Sequence, residues 1–158
     1  MKAIRIFVAA ILLVLMLTAC GNAVPAAGEA KEQVDLKTLR ESIEAVYPKM
    51  MEVEGEMRLN FLGIREEDCA QCVTLLCDDG MKTDELWLIE AADDAAMERL
   101  TKLAQQRMEA KAQETESYAP DQYEIVQQGK VLTSGRYLAL IVTPEAEAAA
   151  KLFDEAVG

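Results

Sequence analysis

The 158-residue chain contains no histidine. That absence removes the commonest general base, the commonest metal ligand and every triad that depends on imidazole. Catalysis or metal binding would have to rest on carboxylates, lysine, tyrosine or cysteine. Positive charge is also scarce, with 16 Lys and Arg against 28 Asp and Glu. Such an excess of acid opposes binding to nucleic acid phosphates and to anionic lipid or wall polymers. Any partner of the surface is then expected to be cationic, neutral or a metal ion. The chain also lacks an apolar run of the roughly 20 residues that a permanent bilayer span needs. Its longest is the twelve residues Ile6 to Leu17.

That run carries a meaning of its own. Lys2 and Arg5 precede it and Leu17-Thr18-Ala19-Cys20 follows, the order of a secretory signal. The four residues LTAC read as a lipobox, in which the cysteine sulfur receives a diacylglyceryl group and becomes the new N-terminus. Residues 1-19 are therefore expected to be a lipoprotein signal peptide and Cys20 the lipidation site. The other reading is an ordinary secretory signal with a chance cysteine. A single acyl chain anchors only marginally, at about 0.8 kcal/mol per buried methylene, whereas two or three chains on one cysteine hold firmly. Gly21 occupies the position where some two-membrane bacteria place an Asp that retains a lipoprotein at the inner membrane. Residues 20-33 have no apolar period and read as a flexible tether, holding the domain on the order of 20 Å from the membrane as a random coil. Loss of Lys2 and Arg5 leaves 14 basic residues against 28 acidic ones, a charge of −14.

Residues 34-158 show no second composition regime and no low-complexity tract, so they read as a single globular domain. Leu36, Leu39, Ile43 and Val46 predict a first helix capped by Asp35 and ended at Tyr47-Pro48. A second helix is expected from Glu56 to Leu62, with Met57, Leu59, Phe61 and Leu62 as its core face and Gly63 closing it. Cys69 to Cys77 and Glu85 to Ala91 read as a strand pair around the turn Asp78-Asp79-Gly80. Asp93 or Asp94 caps a long helix to about Ser117, whose stripe of Met97, Leu100, Leu103, Ala104 and Met108 fades, so its last turns are expected to be solvated. Pro120 opens a short helix to Gln127. Lys130 to Thr133 and Arg136 to Thr143 form a hairpin across Ser134-Gly135. A final helix starts with Thr143 as N-cap and buries Ala148, Ala149, Leu152, Phe153 and Ala156. The fold class is α+β: an antiparallel or mixed sheet of about four strands with helices packed against it, and a β-β-α pseudo-repeat in residues 69 to 117 and 129 to 156.

Cys69, Cys72 and Cys77 carry the one chemical motif. A reactive thiol needs a helix N-terminus or nearby positive charge, but Glu66, Glu67 and Asp68 precede the cluster, Asp78 and Asp79 follow it, and Val73-Thr74-Leu75-Leu76 favours a strand. In a regular strand Cys69 and Cys72 point to opposite faces with Cα atoms roughly 10 Å apart, too far for a disulfide. Zinc would need a second ligand set, and none is present. Packing within a strand is thus the leading reading, with a disulfide, a redox pair and a metal site as alternatives. Asp78-Asp79-Gly80 does not meet the ligand spacing of a calcium loop. Tyr118, Tyr123 and Tyr137 read as aromatics at the core edge.

Arg107, Tyr118-Ala119-Pro120-Asp121-Gln122, Gly135-Arg136-Tyr137 opening an apolar strand and a final helix reaching Phe153 form a longer pattern. With Asp84-Glu85 and Leu62-Gly63-Ile64, it resembles a family of small bacterial lipoproteins, domain of unknown function 4358, over about residues 34 to 155. The resemblance implies an outer-leaflet anchor in Gram-positive bacteria and brings no activity, cofactor or catalytic residue; the three clustered cysteines fall outside its pattern. The expected function is a membrane-anchored envelope lipoprotein, extracytoplasmic, binding an envelope protein or small ligand without catalysis, cofactor or nucleic acid. The alternative is a thiol-dependent redox or metal-binding protein using Cys69, Cys72 and Cys77.

Overall fold

Hydrophobic period decides where each element begins and which side it buries. The computed structural model describes residues 33–158. The expected signal peptide, Cys20 and the expected tether as far as residue 32 lie outside the described residues. Helix α1 (Leu36–Glu44) is capped by Asp35, whose carboxylate accepts from the Lys37 amide at 3.0 Å and buries Leu36, Leu39 and Ile43 at helical spacing. Strand β1 (Met50–Glu52) follows; with three residues and no alternation it leaves no pattern in the sequence. Helix α2 (Gly55–Leu62) ends on Gly63, which takes the left-handed φ of 71° that closes a helix while its amide donates to the Leu59 carbonyl.

Strands β2 (Cys69–Cys77) and β3 (Glu85–Ala91) pair antiparallel. Helix α3 (Asp94–Glu116) is capped by Asp93, which accepts from the Ala96 amide at 2.7 Å. Helix α4 (Pro120–Gln128) leads into the hairpin of β4 (Lys130–Ser134) and β5 (Tyr137–Val142), and helix α5 (Ala146–Val157) closes the chain. The hairpin loop is Gly135-Arg136, with Gly135 at φ 55°. Its first position requires a positive φ, so the link sits one residue later than Ser134-Gly135.

The five strands form one antiparallel sheet in the order β1-β2-β3-β5-β4. Alternation along β3 and β5 serves both faces. Leu86, Leu88, Ala139 and Ile141 pack with Leu39 and Ile43 of α1 and Phe153 of α5. Trp87, Ile89, Leu138, Leu140 and Val142 pack with Leu100 and Ala104 of α3 and Val126 of α4. Every residue of β3 is buried, as a central strand covered on two sides requires. Both β-β-α units are present, but α3 and α5 take opposite faces of the sheet. Among the described residues no helix is long and apolar enough to cross a membrane.

Four local expectations are corrected. Met57, Leu59 and Phe61 are exposed, and of the α2 residues only Leu62 is buried. Apolar positions two apart lie on different sides of a helix, so no single stripe could bury all of them. The last turns of α3 are not solvated: Lys111 and Thr115 are both 8 % exposed. Thr143 does not cap α5; Glu145 holds that position, and the Thr143 side chain is buried. Tyr118 is no core-edge aromatic, being 90 % exposed.

Candidate functional site

The most concentrated polar chemistry in the domain is centred on Glu85, a carboxylate at the start of the central strand. It is fully buried and faces α3. Arg107 donates to it through Nε to Oε1 at 3.0 Å and through Nη2 to Oε2 at 2.9 Å, the paired geometry in which a guanidinium binds a carboxylate best. Lys111, one helical turn on, places Nζ 2.8 Å from Oε2, and the Trp87 indole donates to Oε1 at 2.8 Å. Lys111 also donates to the Thr83 carbonyl at 3.0 Å, while Gln122 Oε1 accepts from the Thr83 amide at 3.0 Å. Every strong acceptor position of Glu85 is thus occupied by donors from its own fold. A carboxylate so engaged is a fastener between the sheet and α3, not a free base.

The stripe on α3 therefore does not fade. Leu100 and Ala104 continue as Arg107, Lys111 and Thr115, whose aliphatic stems cover the sheet while their heads reach Glu85 and the backbone. The sequence signal was a lone Glu opening an apolar strand, matched by Arg and Lys four apart on a helix.

Next to this cluster, Asp84 and Thr143 are buried, and Asp84 Oδ1 and Thr143 Oγ1 have no hydrogen-bond partner among the described residues. Burial, the largest influence, pushes the Asp84 carboxyl above its usual range although Thr143 lies close enough to pull it down. Tyr47 donates its hydroxyl to the Glu85 carbonyl at 3.3 Å. Burial and then the Asp84 charge raise its phenol well above the ordinary value. Asp68 joins a second ion cluster: Arg65 Nε donates to it at 3.2 Å and Arg99 of α3 donates from the other side. The Arg99 hydrogen bond is the main reason its carboxyl is held below the usual range, outweighing burial.

A cleft of about 660 Å³ opens between α2 and the short 3-10 turn Glu66–Asp68. Its walls carry four carboxylates, Glu54, Glu56, Glu66 and Glu67, against two guanidiniums, Arg58 and Arg65, with Leu59 and Ile64 between them. Both guanidiniums are engaged. Arg58 donates to the Val53 and Cys72 carbonyls and to Thr74 Oγ1, and Arg65 to Asp68. The field inside the cleft is accordingly acidic.

Cys69 and Cys72 do not line this cleft but touch two residues that do: Cys69 Sγ donates to the Arg65 carbonyl at 3.6 Å and Arg58 donates to the Cys72 carbonyl at 3.4 Å. The register of β2 on β3 slips between Cys69 and Gln71, so that Cys69 pairs with Ala91, Gln71 with Glu90 and Cys72 with Ile89. This bulge gives β2 one extra residue and cancels the strict alternation. Cys69 and Cys72 consequently pack on the same face, against the cluster that holds Ala91 and Ile89. The expectation that they point apart is corrected. The acidic flanks predict a thiol pKa raised above its ordinary value, and for Cys69 that expectation is corrected as well. A hydrogen bond from Cys72 is the largest influence and the Arg58 charge assists, so its thiol is lowered against burial and against Asp68 and Glu66. Cys72 is raised by that same interaction and by burial. Cys77 sits at the other end of the strand opposite Met50, its sulfur 3.8 Å from the Lys49 carbonyl oxygen, and does not join the pair. Among the described residues no group of three or more Cys, Asp or Glu is arranged to hold a metal ion.

No curated protein and no solved structure matches the chain. A family model does, over residues 29–143, a span that contains all five strands and the whole Glu85 cluster. Of the positions through which the sequence resembles that family, Glu85, Arg107 and Gln122 are brought together around Thr83 and Lys111. The chain belongs to the family described as a domain of unknown function, DUF4358.

Proposed function

We propose that the chain is an envelope lipoprotein, anchored in the membrane through lipid on Cys20, whose domain is a non-catalytic module that binds a positively charged ligand or protein segment. The observation that carries the binding role is the acidic cleft between α2 and the 3-10 turn, where four carboxylates face two guanidiniums already held by the fold. A cation entering it would replace water at Glu54, Glu56, Glu66 and Glu67, and Leu59 supplies apolar contact for its aliphatic part. The saturated hydrogen bonding of Glu85 supports a structural and not a catalytic use of the largest polar cluster. The anchor rests on the basic flank, the twelve-residue apolar run and LTAC.

Two measurements test the two halves. Metabolic labelling with an alkyne analogue of palmitate should mark the wild-type protein and leave Cys20→Ala unlabelled and released from membranes; unchanged labelling removes the anchor. Titration with tetralysine, followed by amide NMR, should shift the resonances of α2 and of Glu66–Asp68, and the shifts should weaken with salt. Shifts elsewhere, or none, remove the cleft as the binding place.

A further inference from the structure

We propose that Cys69 and Cys72 form a dithiol–disulfide couple that exchanges with disulfides presented at the cleft, Cys69 attacking and Cys72 resolving. The bulge between Cys69 and Gln71 puts both cysteines on one face of β2 opposite Ala91 and Ile89, two ladder positions apart, a Cα separation of about 6.8 Å that lies at the upper end of what a disulfide spans. Cys69 Sγ donates to the Arg65 carbonyl oxygen at 3.6 Å. Arg65 and Arg58 both line the cleft, and Arg58 donates to the Cys72 carbonyl at 3.4 Å, which fixes a cation beside the pair. Both cysteines are free and partly accessible. The lowered thiol of Cys69 and the raised one of Cys72 match attacking and resolving roles.

The chemistry balances with an oxidant of the disulfide class, RSSR. The Cys69 thiolate attacks one sulfur of RSSR, forming a mixed disulfide and releasing RS⁻. Cys72 gives up its proton and attacks the Cys69 sulfur, closing the Cys69–Cys72 bond and releasing the second RS⁻. The two protons lost by the cysteines are taken up by the two released thiolates, so two electrons pass from the protein to the oxidant. Neither the lipid anchor nor a cationic ligand is needed for this step, so it goes beyond the function proposed above.

The test uses the full-length chain equilibrated with oxidised and reduced glutathione, quenched in acid, alkylated and digested with trypsin. One peptide, residues 66–82, carries Cys69, Cys72 and Cys77. It should lose two alkylatable thiols together, with fragmentation placing the bond between Cys69 and Cys72 and the alkyl group on Cys77. Cys72→Ser should accumulate glutathione on Cys69. In Cys69→Ser, Cys72 should react at least about tenfold more slowly than Cys69 does in Cys72→Ser, since the thiolate is the nucleophile; unchanged circular dichroism of both variants keeps the comparison one of chemistry. Separate glutathione adducts on the two cysteines, a bond through Cys77, or three thiols alkylated in full oxidised glutathione would each overturn the proposal.

Discussion

Arg107 holds Glu85 by two parallel hydrogen bonds, of 3.0 and 2.9 Å, across the boundary between α3 and the central strand. The two residues are 22 positions apart, and the carboxylate is wholly buried. Removing one partner of such a pair strands the other charge in a poorly solvating place. Glu85→Ala is expected to destabilise the domain by about 3–5 kcal/mol, and Arg107→Ala by less, since Lys111 still neutralises the carboxylate. Urea denaturation of both variants measures this; equal small effects would show the cluster to be incidental.

Asp68 and Asp84 should leave opposite marks on acid stability. Asp68 is held below the ordinary carboxyl value of 3.8 chiefly by Arg99, so the unfolded chain binds its proton first. Its contribution is present above that value and is lost as pH falls through the lower folded value. Asp84 is raised by burial, so the folded chain binds its proton first, and between 3.8 and its raised value stability falls as pH rises. Asp68→Asn should flatten the acid limb of stability against pH, whereas Asp84→Asn should lift stability most near neutral pH. Thermal melts across the acidic range distinguish the two, and identical profiles for both variants would contradict these assignments.

Gly63 is a conformational requirement. At φ 71° an added Cβ would be strained, and it would lie 3.3 Å from Leu103 Cδ1 of α3. Gly63→Ala should cost about 1–2 kcal/mol, whereas Gly80→Ala, where nothing crowds the added carbon, should stay within about 0.5 kcal/mol. A pair of chemical denaturation curves decides it.

Neighbouring residues on α2 should behave oppositely. Phe61 is 63 % exposed and Leu62 is 3 % exposed. Phe61→Glu is expected to change stability by no more than about 0.5 kcal/mol, and Leu62→Ala to cost about 2–5 kcal/mol. Comparable losses for both would mean that the outer face of α2 is covered.

The elements themselves were legible because each depends on neighbours in sequence. The caps Asp35 and Asp93, the closing Gly63, the helical stripe on α1 and the continuous apolar runs of β3 and β5 act over a few residues. An α+β fold with an antiparallel sheet follows from them. Strand β1 was not legible, since three residues carry no period. The proposal of lipidation at Cys20 rests on local sequence context alone.

What only the tertiary structure decided is the partner of each polar group. Lys111 and Thr115 looked solvated because their own helix gives no reason to bury them; the reason is Glu85 and the Thr83 carbonyl on another element. Cys69 and Cys72 looked mismatched because alternation assumes a regular ladder. Whether β2 gains an extra residue depends on how it registers against β3, and that pairing places both thiols on one face. Local backbone preference determines helix, strand and cap, whereas the cost of burying a charge or shifting a register is met only by atoms that folding brings from far along the chain.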